Sequence, residues 1–451
     1  MLNTNTAVTY LKKNEPQLFK FEHTLSPTQL ADLLKQCSSI DLTLLNSQKK
    51  LLQQPAHASL LDIEPFDQFS FSGNLQNVEI GQRLIKNGRL GCVVLAGGQG
   101  SRLKFEGPKG CYPISIIKNK SLFQLIIEKV IAASQWAECP LNIAIMTSQE
   151  NDRQTRDFFK KNHYFGLSVD QIDFFIQDQL PLLDSSSHLY LETASKIAMG
   201  SDGNGHSLLR FVESGIWGKW NQKGIEYLHL IPIDNPLADP FDAELLGFHF
   251  QENNEITLKC TEKVYPEEKV GVVVKKDNHC EVIEYSEIPS QEACSRRADG
   301  KLNHCCGNLS LFCFSLSFIK RIVEEKIHLP LHKAWKSAKF YDRENTVLSK
   351  DLYAWKFETF IFDWLKYSTK TSALLYPREE CFAPLKNFIG EDSPIEVQLA
   401  LQKKERTLIQ TLTDLPAPNF PFELAAEFYY PTSALKEKWQ GQVLKTSYAE
   451  P

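Results

Sequence analysis

The sequence predicts an α/β protein in which a mostly parallel sheet is flanked by helices. Two observations lead to this fold class. First, short and almost wholly apolar runs, such as GCVVLA (Gly91–Ala96) and NIAIMTS (Asn142–Ser148), alternate with runs of helical periodicity. Such apolar runs are typical of strands buried on both faces of a parallel sheet. Second, a glycine-rich loop follows the first apolar run directly, which is where open α/β sheets bind ligands.

Composition limits the classes of partner that need to be considered. The chain has 451 residues, enough for two or three domains, and its net charge of −5 gives no reason to expect nucleic acid or an anionic membrane. Its first residues lack the basic-then-apolar order of a secretory signal. The longest uncharged apolar stretch, Leu302–Ile319, contains several polar residues and predicts buried strands and not a membrane span. We therefore expect a cytoplasmic protein without a membrane partner.

The cysteines are predicted to be free thiols. There are 11 of them, and none has CxxC spacing. His304, Cys305, Cys306 and Cys313 lie close together in the chain, but structural zinc sites use ligand pairs at other spacings. Buried thiols in a reducing compartment fit the sequence better.

The predicted elements follow in chain order. Ser26 and Pro27 mark the start of a helix, since Ser is a preferred N-cap and Pro a preferred first residue. The stretch 62–77 contains Pro65 and Gly73 and predicts a loop. The strand at Gly91–Ala96, a helix and the strand at Asn142–Ser148 then form a βαβ unit. The remaining predicted elements of the core are a helix at 121–137, a helix at 152–162, strands at 172–177 and 227–234, and a hairpin around 276–279.

The same pattern predicts three domains. Residues 1–87 form a helical region, 88–380 the catalytic core, and 381–451 a small C-terminal domain that begins after Pro377. The last segment is polar, punctuated by prolines and partly helical.

The most informative segment is LAGGQGSRLKFEGPKG, residues 95–110. Gly97, Gly98 and Gly100 allow the backbone to approach a ligand closely and are expected to adopt positive φ, while their N–H groups can form a concave anion site. Arg102 and Lys109 add two positive charges. This combination suits a polyphosphate, although a turn with two solvated cations remains the alternative interpretation.

Other phosphate motifs fit less well. No GxxxxGK[ST] string occurs in the chain, which excludes a P-loop. The dinucleotide motif GxGxxG becomes GxGxxL at 98–103, and Gly107-Pro108 interrupts the helix that should follow. This mismatch argues against an NAD(P)-dependent oxidoreductase, the main alternative from another enzyme class.

The loop resembles the nucleotide-binding loop LAGGQGTRL…YPKG of the eukaryotic-type UDP-sugar pyrophosphorylases, and most of all that of the UDP-N-acetylhexosamine pyrophosphorylases. Seven further segments resemble the family in the same order along residues 91–387. They are MTSQENDRQTRDFFKKNHYFGL, SDGNGH, IDNP, VGVVV, IEYSE, CGNL and APLKN.

The resemblance implies a Rossmann-like nucleotidyltransferase core, with a mixed and mostly parallel sheet, an N-terminal helical region and a small C-terminal domain. It also implies the reaction of UTP with a sugar 1-phosphate to give a UDP-sugar and pyrophosphate, with Mg²⁺ or Mn²⁺ as cofactor. The acceptor favoured is N-acetylglucosamine 1-phosphate. Glucose 1-phosphate, broad specificity and a non-catalytic binding protein are the alternatives. Nothing in the sequence fixes the oligomeric state.

The site residues implied by the resemblance form three groups. Arg102 and Lys109 are the catalytic cations, and Asp234 is the metal ligand. The UTP-binding residues are Leu95, Ala96, Gly97, Gly98, Gly100, Lys109, Gln177, Gly203, Asp234 and Lys386. The residues expected around the sugar are Asn204, Gly271, Glu284, Tyr285 and Asn308.

The chain also departs from the family at several positions. His206 replaces the second glycine of DGNGG and Asp178 replaces a glycine, and the C-terminal tail is shorter. His206 is expected to crowd the sugar.

Overall fold

The computed structural model describes residues 4–54, 63–277, 279–285, 287–341 and 352–451. The chain forms two compact units, each assembled from three segments. The first unit comprises Met1–Ser59, Gln177–His206 and His328–Ile361, and the second comprises Leu60–Ile176, Ser207–Ile327 and Phe362–Pro451. The division into 1–87, 88–380 and 381–451 stays a prediction.

The helices alternate with the strands along much of the chain. In chain order they are α1 (Thr4–Asn14), α2 (Pro27–Ser39), α3 (Leu42–Gln53), α4 (Leu75–Lys86), α5 (Leu122–Ala137), α6 (Asp152–Lys161), α7 (Ser207–Glu213), α8 (Ile216–Gln222), α9 (Ala243–Gln251), α10 (Ser290–Ala293), α11 (Leu316–Glu324), α12 (Arg378–Cys381), α13 (Pro394–Thr413) and α14 (Ser433–Trp439).

The strands of the described residues are short, as is usual for α/β proteins. In chain order they are β1 (Glu64–Pro65), β2 (Phe69–Phe71), β3 (Leu90–Leu95), β4 (Asn142–Thr147), β5 (Ile172–Ile176), β6 (Gln179–Pro181), β7 (Leu191–Thr193), β8 (Lys196–Ile197), β9 (Met199–Ser201), β10 (Tyr227–Pro232), β11 (Ile256–Glu262), β12 (Val272–Lys276), β13 (His279–Ile283), β14 (Cys306–Ser315), β15 (His332–Ser337), β16 (Tyr353–Glu358), β17 (Thr371–Tyr376), β18 (Glu423–Leu424) and β19 (Tyr448–Ala449).

The second unit is built on one large sheet whose main path runs β2-β17-β11-β14-β10-β3-β4-β5. Its neighbouring strands are parallel except for β14, which is antiparallel to both β11 and β10. The hairpin β12–β13 joins the sheet through β14, and β1 joins through β12. The prediction of a mixed, mostly parallel sheet with helices is confirmed.

The predicted βαβ unit is also confirmed. β3 and β4 pair in parallel, and β4 is buried throughout. The intervening α5 begins after Ser121, whose side chain accepts a hydrogen bond from the Gln124 N–H as an N-cap should. Ser26 likewise caps α2 through a complete capping box with Gln29.

Two predictions about local structure were wrong. The stretch 62–77 was expected to be a loop, but its described part contains β1 and β2 and the start of α4. β2 pairs in parallel with β17, so its partner is about 300 residues away and leaves no local signal. The stretch Leu302–Ile319 was expected to consist of buried strands. It contains one strand, β14, which ends at Ser315, and the first residues of α11, which begins at Leu316.

The described part of the first unit contains α1–α3 and short antiparallel pairings of β6 with β9, β7 with β8 and β15 with β16, together with isolated bridges from Leu183 to Leu189 and to Trp355. The fully buried carboxylate of Glu15 links two of the three segments of this unit, Met1–Ser59 and Gln177–His206. Glu15 accepts hydrogen bonds from the Gln17 side chain at 2.6 Å and from the Leu189 N–H at 3.0 Å, and it pairs with Lys49. A buried charge is tolerated when it is compensated in this way.

In the part of the chain that the structure describes, none of the helices is both long enough and apolar enough to cross a bilayer.

Candidate functional site

The glycine-rich loop begins where β3 ends, at the carboxyl edge of the parallel strands. The Gly100 N–H donates to the Gly107 carbonyl at 2.9 Å, and the Lys109 N–H donates to the Gly98 carbonyl at 3.1 Å. Ala96, which is fully buried, anchors the start of the loop by donating to the Met146 carbonyl of β4 at 2.8 Å. The loop is therefore folded back on itself and fixed to the neighbouring strand.

The glycines of this loop differ in their roles. The expectation of positive φ was wrong for all three glycines: Gly100 has φ −81°, and neither Gly97 nor Gly98 is among the described glycines with positive φ. A Cβ at Gly100 would lie 2.8 Å from the Phe105 ring, so close packing is what requires glycine. The positive φ occurs at Gly107, at +125°. Gly98 is exposed, and a Cβ there would meet nothing within 4 Å, which leaves that side of the loop open to a ligand.

Lys109 and Asp234 meet at this edge of the sheet. β3 and β10 are parallel neighbours, with Leu95 opposite Pro232, so the residues that follow both strands emerge side by side. The Lys109 ammonium lies 3.5 Å from Asp234 Oδ2 and 3.4 Å from the Leu385 carbonyl. The Lys109 side chain is only 10% exposed, whereas the Asp234 side chain is 22% exposed. The carboxylate thus has one oxygen facing Lys109 and keeps access to solvent.

Residues 381–386 also lie beside Asp234 and Asn235. The Leu385 N–H donates to the Asp234 carbonyl at 2.7 Å. The fully buried Asn235 donates to the Cys381 carbonyl at 2.7 Å and accepts from the Ala383 N–H at 3.0 Å. Lys386 follows Leu385 directly, and its ammonium lies 3.6 Å from Asp392. The structure therefore brings Lys386 to the neighbourhood of Asp234.

Arg102 is exposed on a 3₁₀ turn, Ser101–Leu103, within the same loop. The next residue, Leu103, is buried and anchors the turn in the core. The last glycine of the loop, Gly110, has a structural role, because a Cβ there would lie 2.2 Å from the Phe123 ring of α5.

Three of the predicted sugar-binding residues also lie together. The Asn308 N–H donates to the Gly271 carbonyl at 2.8 Å, and a Cβ at Gly271 would lie 3.6 Å from Glu284 Oε1. The register of β14 against β11 shifts after Asn308, and Ser310 adopts φ +56°. Such a β-bulge redirects side chains and is common beside binding sites. Tyr285, which follows Glu284, is 44% exposed.

The remaining predicted residues belong to the first unit. Gln177 is buried and donates to the Gly203 carbonyl at 3.2 Å. Gly203 has φ +85°, and a Cβ there would lie 2.2 Å from the Thr359 carbonyl, so only glycine fits. Asn204 Oδ1 accepts from the Ile361 N–H at 2.9 Å. His206 Nδ1 lies 2.9 Å from Asp202 Oδ2, so its ring is engaged by a carboxylate of its own loop.

All eleven cysteines are free, as predicted, but Cys294 is exposed and Cys111 and Cys139 are only partly buried, so the prediction of buried thiols holds for the other eight. A hydrogen bond from Cys306 lowers the pKa of the Cys305 thiol to about 7, whereas this bond and burial raise the pKa of Cys306.

Among the described residues, no group of three or more His, Cys, Asp or Glu side chains could hold a metal ion.

Sequence reasoning missed Asn151 and Asn235. Both are completely buried amides that contact the segments carrying the candidate cations and carboxylate. Asn235 lies in the IDNP motif and Asn151 in the segment MTSQENDRQTRDFFKKNHYFGL. Both segments were recognised as resembling the family, but neither asparagine was given a role.

Comparison with known proteins agrees with this geometry. The sequence profile of a family described as UTP–glucose-1-phosphate uridylyltransferase matches residues 49–392. The chain belongs to this family. The resemblance to the UDP-sugar pyrophosphorylases is thereby confirmed, and so is the assignment of the chain to a family of uridylyltransferases, which are nucleotidyltransferases.

Relatives within this uridylyltransferase family are similar over most of the chain. A probable UDP-N-acetylglucosamine pyrophosphorylase of Schizosaccharomyces pombe is 33% identical over 397 residues, which cover 84% of this chain and 81% of that protein. UDP-N-acetylglucosamine diphosphorylase 2 of Arabidopsis thaliana is 30% identical, covering 85% of this chain and 80% of the relative.

Among solved structures, a putative UDP-N-acetylglucosamine pyrophosphorylase from Entamoeba histolytica has a TM-score of 0.79 at 27% identity, covering 86% of this chain and 100% of that chain. The uridine diphosphate N-acetylglucosamine pyrophosphorylase from Trypanosoma brucei, in complex with an inhibitor, has a TM-score of 0.81 at 23% identity, covering 97% and 95%. The first supports the family assignment, and the second supports the fold alone.

Proposed function

We propose that this uridylyltransferase-family protein transfers a uridylyl group from UTP to N-acetylglucosamine 1-phosphate, forming a UDP-sugar and pyrophosphate. The observation that carries the proposal is the pairing of Lys109 with Asp234, 3.5 Å apart, beside a glycine-rich loop at the carboxyl edge of parallel strands. A cation for phosphate and a carboxylate for a metal ion are the groups that nucleotidyl transfer requires.

The reaction needs no covalent intermediate on the protein. An oxygen of the sugar phosphate attacks the α-phosphorus of UTP, and the bond from that phosphorus to the bridging oxygen of pyrophosphate breaks. The protein must align the two anions and stabilise the charge that develops. In the proposal, Lys109 stabilises the α-phosphate, while Arg102, on its exposed turn, and Lys386 contact the outer phosphates. The low exposure of Lys109 strengthens its electrostatic effect.

Mg²⁺ or Mn²⁺ is part of the proposal. Mg²⁺ is usually held by one or two carboxylates together with substrate phosphate oxygens, which fits a single, partly exposed carboxylate at Asp234. The metal ion, when bound, would neutralise phosphate charge. Asp234 would hold it, and Lys109 and the Leu385 N–H would keep the carboxylate and its backbone in place.

Gly271, Glu284 and Asn308 support the choice of sugar. These residues form one group in which a side chain at Gly271 would be crowded, because its Cβ would lie 3.1 Å from Val282 Cγ1, 3.3 Å from the Ile283 carbonyl and 3.6 Å from Glu284 Oε1. An acetamido group needs an apolar wall for its methyl group and polar partners for its amide, and Tyr285 offers an apolar ring. The names of the relatives also favour the acetylated sugar. Gln177, Gly203 and Asn204 are assigned to the uracil, the nucleotide and the sugar as part of the same proposal.

The test is pyrophosphate release from UTP and Mg²⁺ with a panel of sugar 1-phosphates. We expect kcat/KM to be highest with N-acetylglucosamine 1-phosphate and detectable with glucose 1-phosphate, because a pocket with spare room rejects a smaller sugar by only about 1–3 kcal/mol. Gly271→Ala should lower kcat/KM for the acetylated sugar more than for glucose 1-phosphate. A tenfold preference in kcat/KM for glucose 1-phosphate would identify it as the substrate. If no sugar 1-phosphate led to pyrophosphate release, the proposed uridylyl transfer would be excluded.

A cytoplasmic location belongs to the proposal as well. The free state of all eleven cysteines supports a reducing compartment.

A further inference from the structure

Asn151 connects the turn after β4 to the glycine-rich loop. It precedes α6, yet its side chain does not cap that helix. Instead, Asn151 Nδ2 donates to the Ala96 carbonyl at 2.9 Å and to the Gly98 carbonyl at 3.3 Å. Asn151 is completely buried, and its hydrogen bond to the Ala96 carbonyl is shielded from water, whereas the one to the Gly98 carbonyl is partly buried.

The orientation of this amide is fixed by its third hydrogen bond. Asn151 Oδ1 accepts from the Ser148 N–H at 2.8 Å, so a flipped amide would place its NH₂ group against the Ser148 N–H and its oxygen against the Ala96 and Gly98 carbonyl oxygens. The turn itself is rigidly held. Asp152 accepts from Thr147 Oγ1 at 2.6 Å and from the Arg156 guanidinium at 2.8 and 2.9 Å.

The two carbonyls held by Asn151 determine where the neighbouring N–H groups point. In a planar trans peptide, the C=O and the following N–H point in opposite directions. The Ala96 carbonyl shares its peptide with the Gly97 N–H, and the Gly98 carbonyl shares its peptide with the Gln99 N–H. Because both carbonyls face the buried Asn151, both N–H groups face away from it, toward the accessible side of the loop.

These N–H groups are available to a ligand. Within the described residues, neither the Gly97 N–H nor the Gln99 N–H donates to a protein acceptor. Gly97 and Gln99 are partly exposed and Gly98 is exposed. Backbone N–H groups of one loop that are directed to the same side form a site for an anion. The Gly98 carbonyl also accepts from the Lys109 N–H at 3.1 Å, so the same peptide links Asn151 to the backbone of the candidate catalytic cation.

We propose that Asn151 is a positioning residue that fixes two peptides of the glycine-rich loop, so that the Gly97 and Gln99 N–H groups bind the phosphates of the nucleotide. This inference rests on the proposed function for the identity of the nucleotide, UTP. Asn151 is therefore expected to affect the binding of the phosphates of UTP but not the binding of its uracil base.

The test compares Asn151→Ala and Asn151→Asp with the wild-type protein. The Asp variant keeps the shape of the side chain and its acceptor for Ser148 but loses both donors. Asn254→Ala is the matched control: Asn254 is also buried, donates to Thr257 Oγ1 at 2.9 Å and precedes β11 at the opposite edge of the sheet. Binding of UTP and of uridine is measured by calorimetry, and kcat and KM for UTP by pyrophosphate release.

Both Asn151 variants should weaken UTP binding at least tenfold and raise KM for UTP, while the affinity for uridine stays within twofold of wild type. Asn254→Ala should lower the melting temperature without changing UTP affinity. UTP affinity within twofold of wild type in Asn151→Asp would overturn the proposal, because it would show that only the shape matters. An equal loss of uridine and UTP binding would also overturn it. If wild-type protein binds UTP but releases no pyrophosphate, the proposed function fails and the binding comparison still decides the role of Asn151.

Discussion

The Lys109 ammonium lies 3.5 Å from Asp234 Oδ2, although the two residues are 125 positions apart in the chain. Their proximity follows from the parallel pairing of β3 with β10, because residues that follow neighbouring parallel strands emerge at the same edge. The same ammonium contacts the Leu385 carbonyl, 276 positions away. Lys109 therefore belongs both to the candidate site and to the packing of three chain segments.

This double role separates Lys109 from Arg102. Lys109→Ala and Arg102→Ala should each lower kcat by about 100-fold or more, the scale for losing one preorganised donor. Only Lys109→Ala should also lower the free energy of unfolding, by about 1–3 kcal/mol, because a buried carbonyl and a carboxylate lose their partner. Urea denaturation and steady-state kinetics measure the two effects. Unchanged stability in Lys109→Ala, or near wild-type turnover in either variant, would contradict these roles.

Asp234→Asn should abolish activity or greatly weaken its dependence on Mg²⁺. The amide keeps the size of the side chain, but it supplies a neutral oxygen that is a poor ligand for a hard cation. The rate is measured against Mg²⁺ concentration, with Asp157→Asn, an exposed carboxylate on α6, as control. The control should respond to Mg²⁺ as wild type does. Full wild-type activity in excess EDTA would show that no metal is involved.

The glycines of the loop give a matched pair of substitutions. Gly110→Ala should lower the free energy of unfolding by about 1–3 kcal/mol, because the new methyl group would lie 2.2 Å from the Phe123 ring and overpack the core. Gly98→Ala meets no protein atom within 4 Å, so its stability should match wild type while its KM for UTP increases. Thermal unfolding and kinetics distinguish the two. If Gly110→Ala and Gly98→Ala were equally stable, the packing role assigned to Gly110 would be wrong.

Glu405 makes the stability of the second unit depend on pH. Burial, followed by the nearby Glu423 carboxylate, raises the pKa of Glu405 from 4.5 to about 8. Between these values the folded state holds a proton that the unfolded state has released, so this group destabilises the fold progressively as pH rises from about 5 to about 8. Glu405→Gln should remove this slope, and its stability advantage over wild type should grow with pH.

The free energies of unfolding of the wild-type protein and the Glu405→Gln variant are compared by urea denaturation at several pH values. Glu437→Gln, at an exposed position, serves as the control. The control should follow wild type throughout. A Glu405→Gln variant whose difference from wild type is the same at pH 5 and pH 8 would show that Glu405 titrates normally.

The sequence by itself determined the elements whose signals are local. The apolar runs of β3 and β4, the Ser121 cap of α5 and the hairpin β12–β13 are each encoded within a few residues, so the amino-acid pattern alone predicts them. The glycine-rich loop and Asp234 could be placed at one sheet edge for the same reason, because the strand that precedes each of them was recognisable.

Only the tertiary structure decided which distant segments meet. It placed β14 antiparallel between β11 and β10, made β2 a strand through its pairing with β17, and buried Lys109 against Leu385. It also gave Gly107 and not Gly100 the positive φ, and turned Asn151 toward the loop. These outcomes depend on burial and hydrogen bonding between residues far apart in the chain, and such contacts leave no periodicity or spacing in the sequence around either partner.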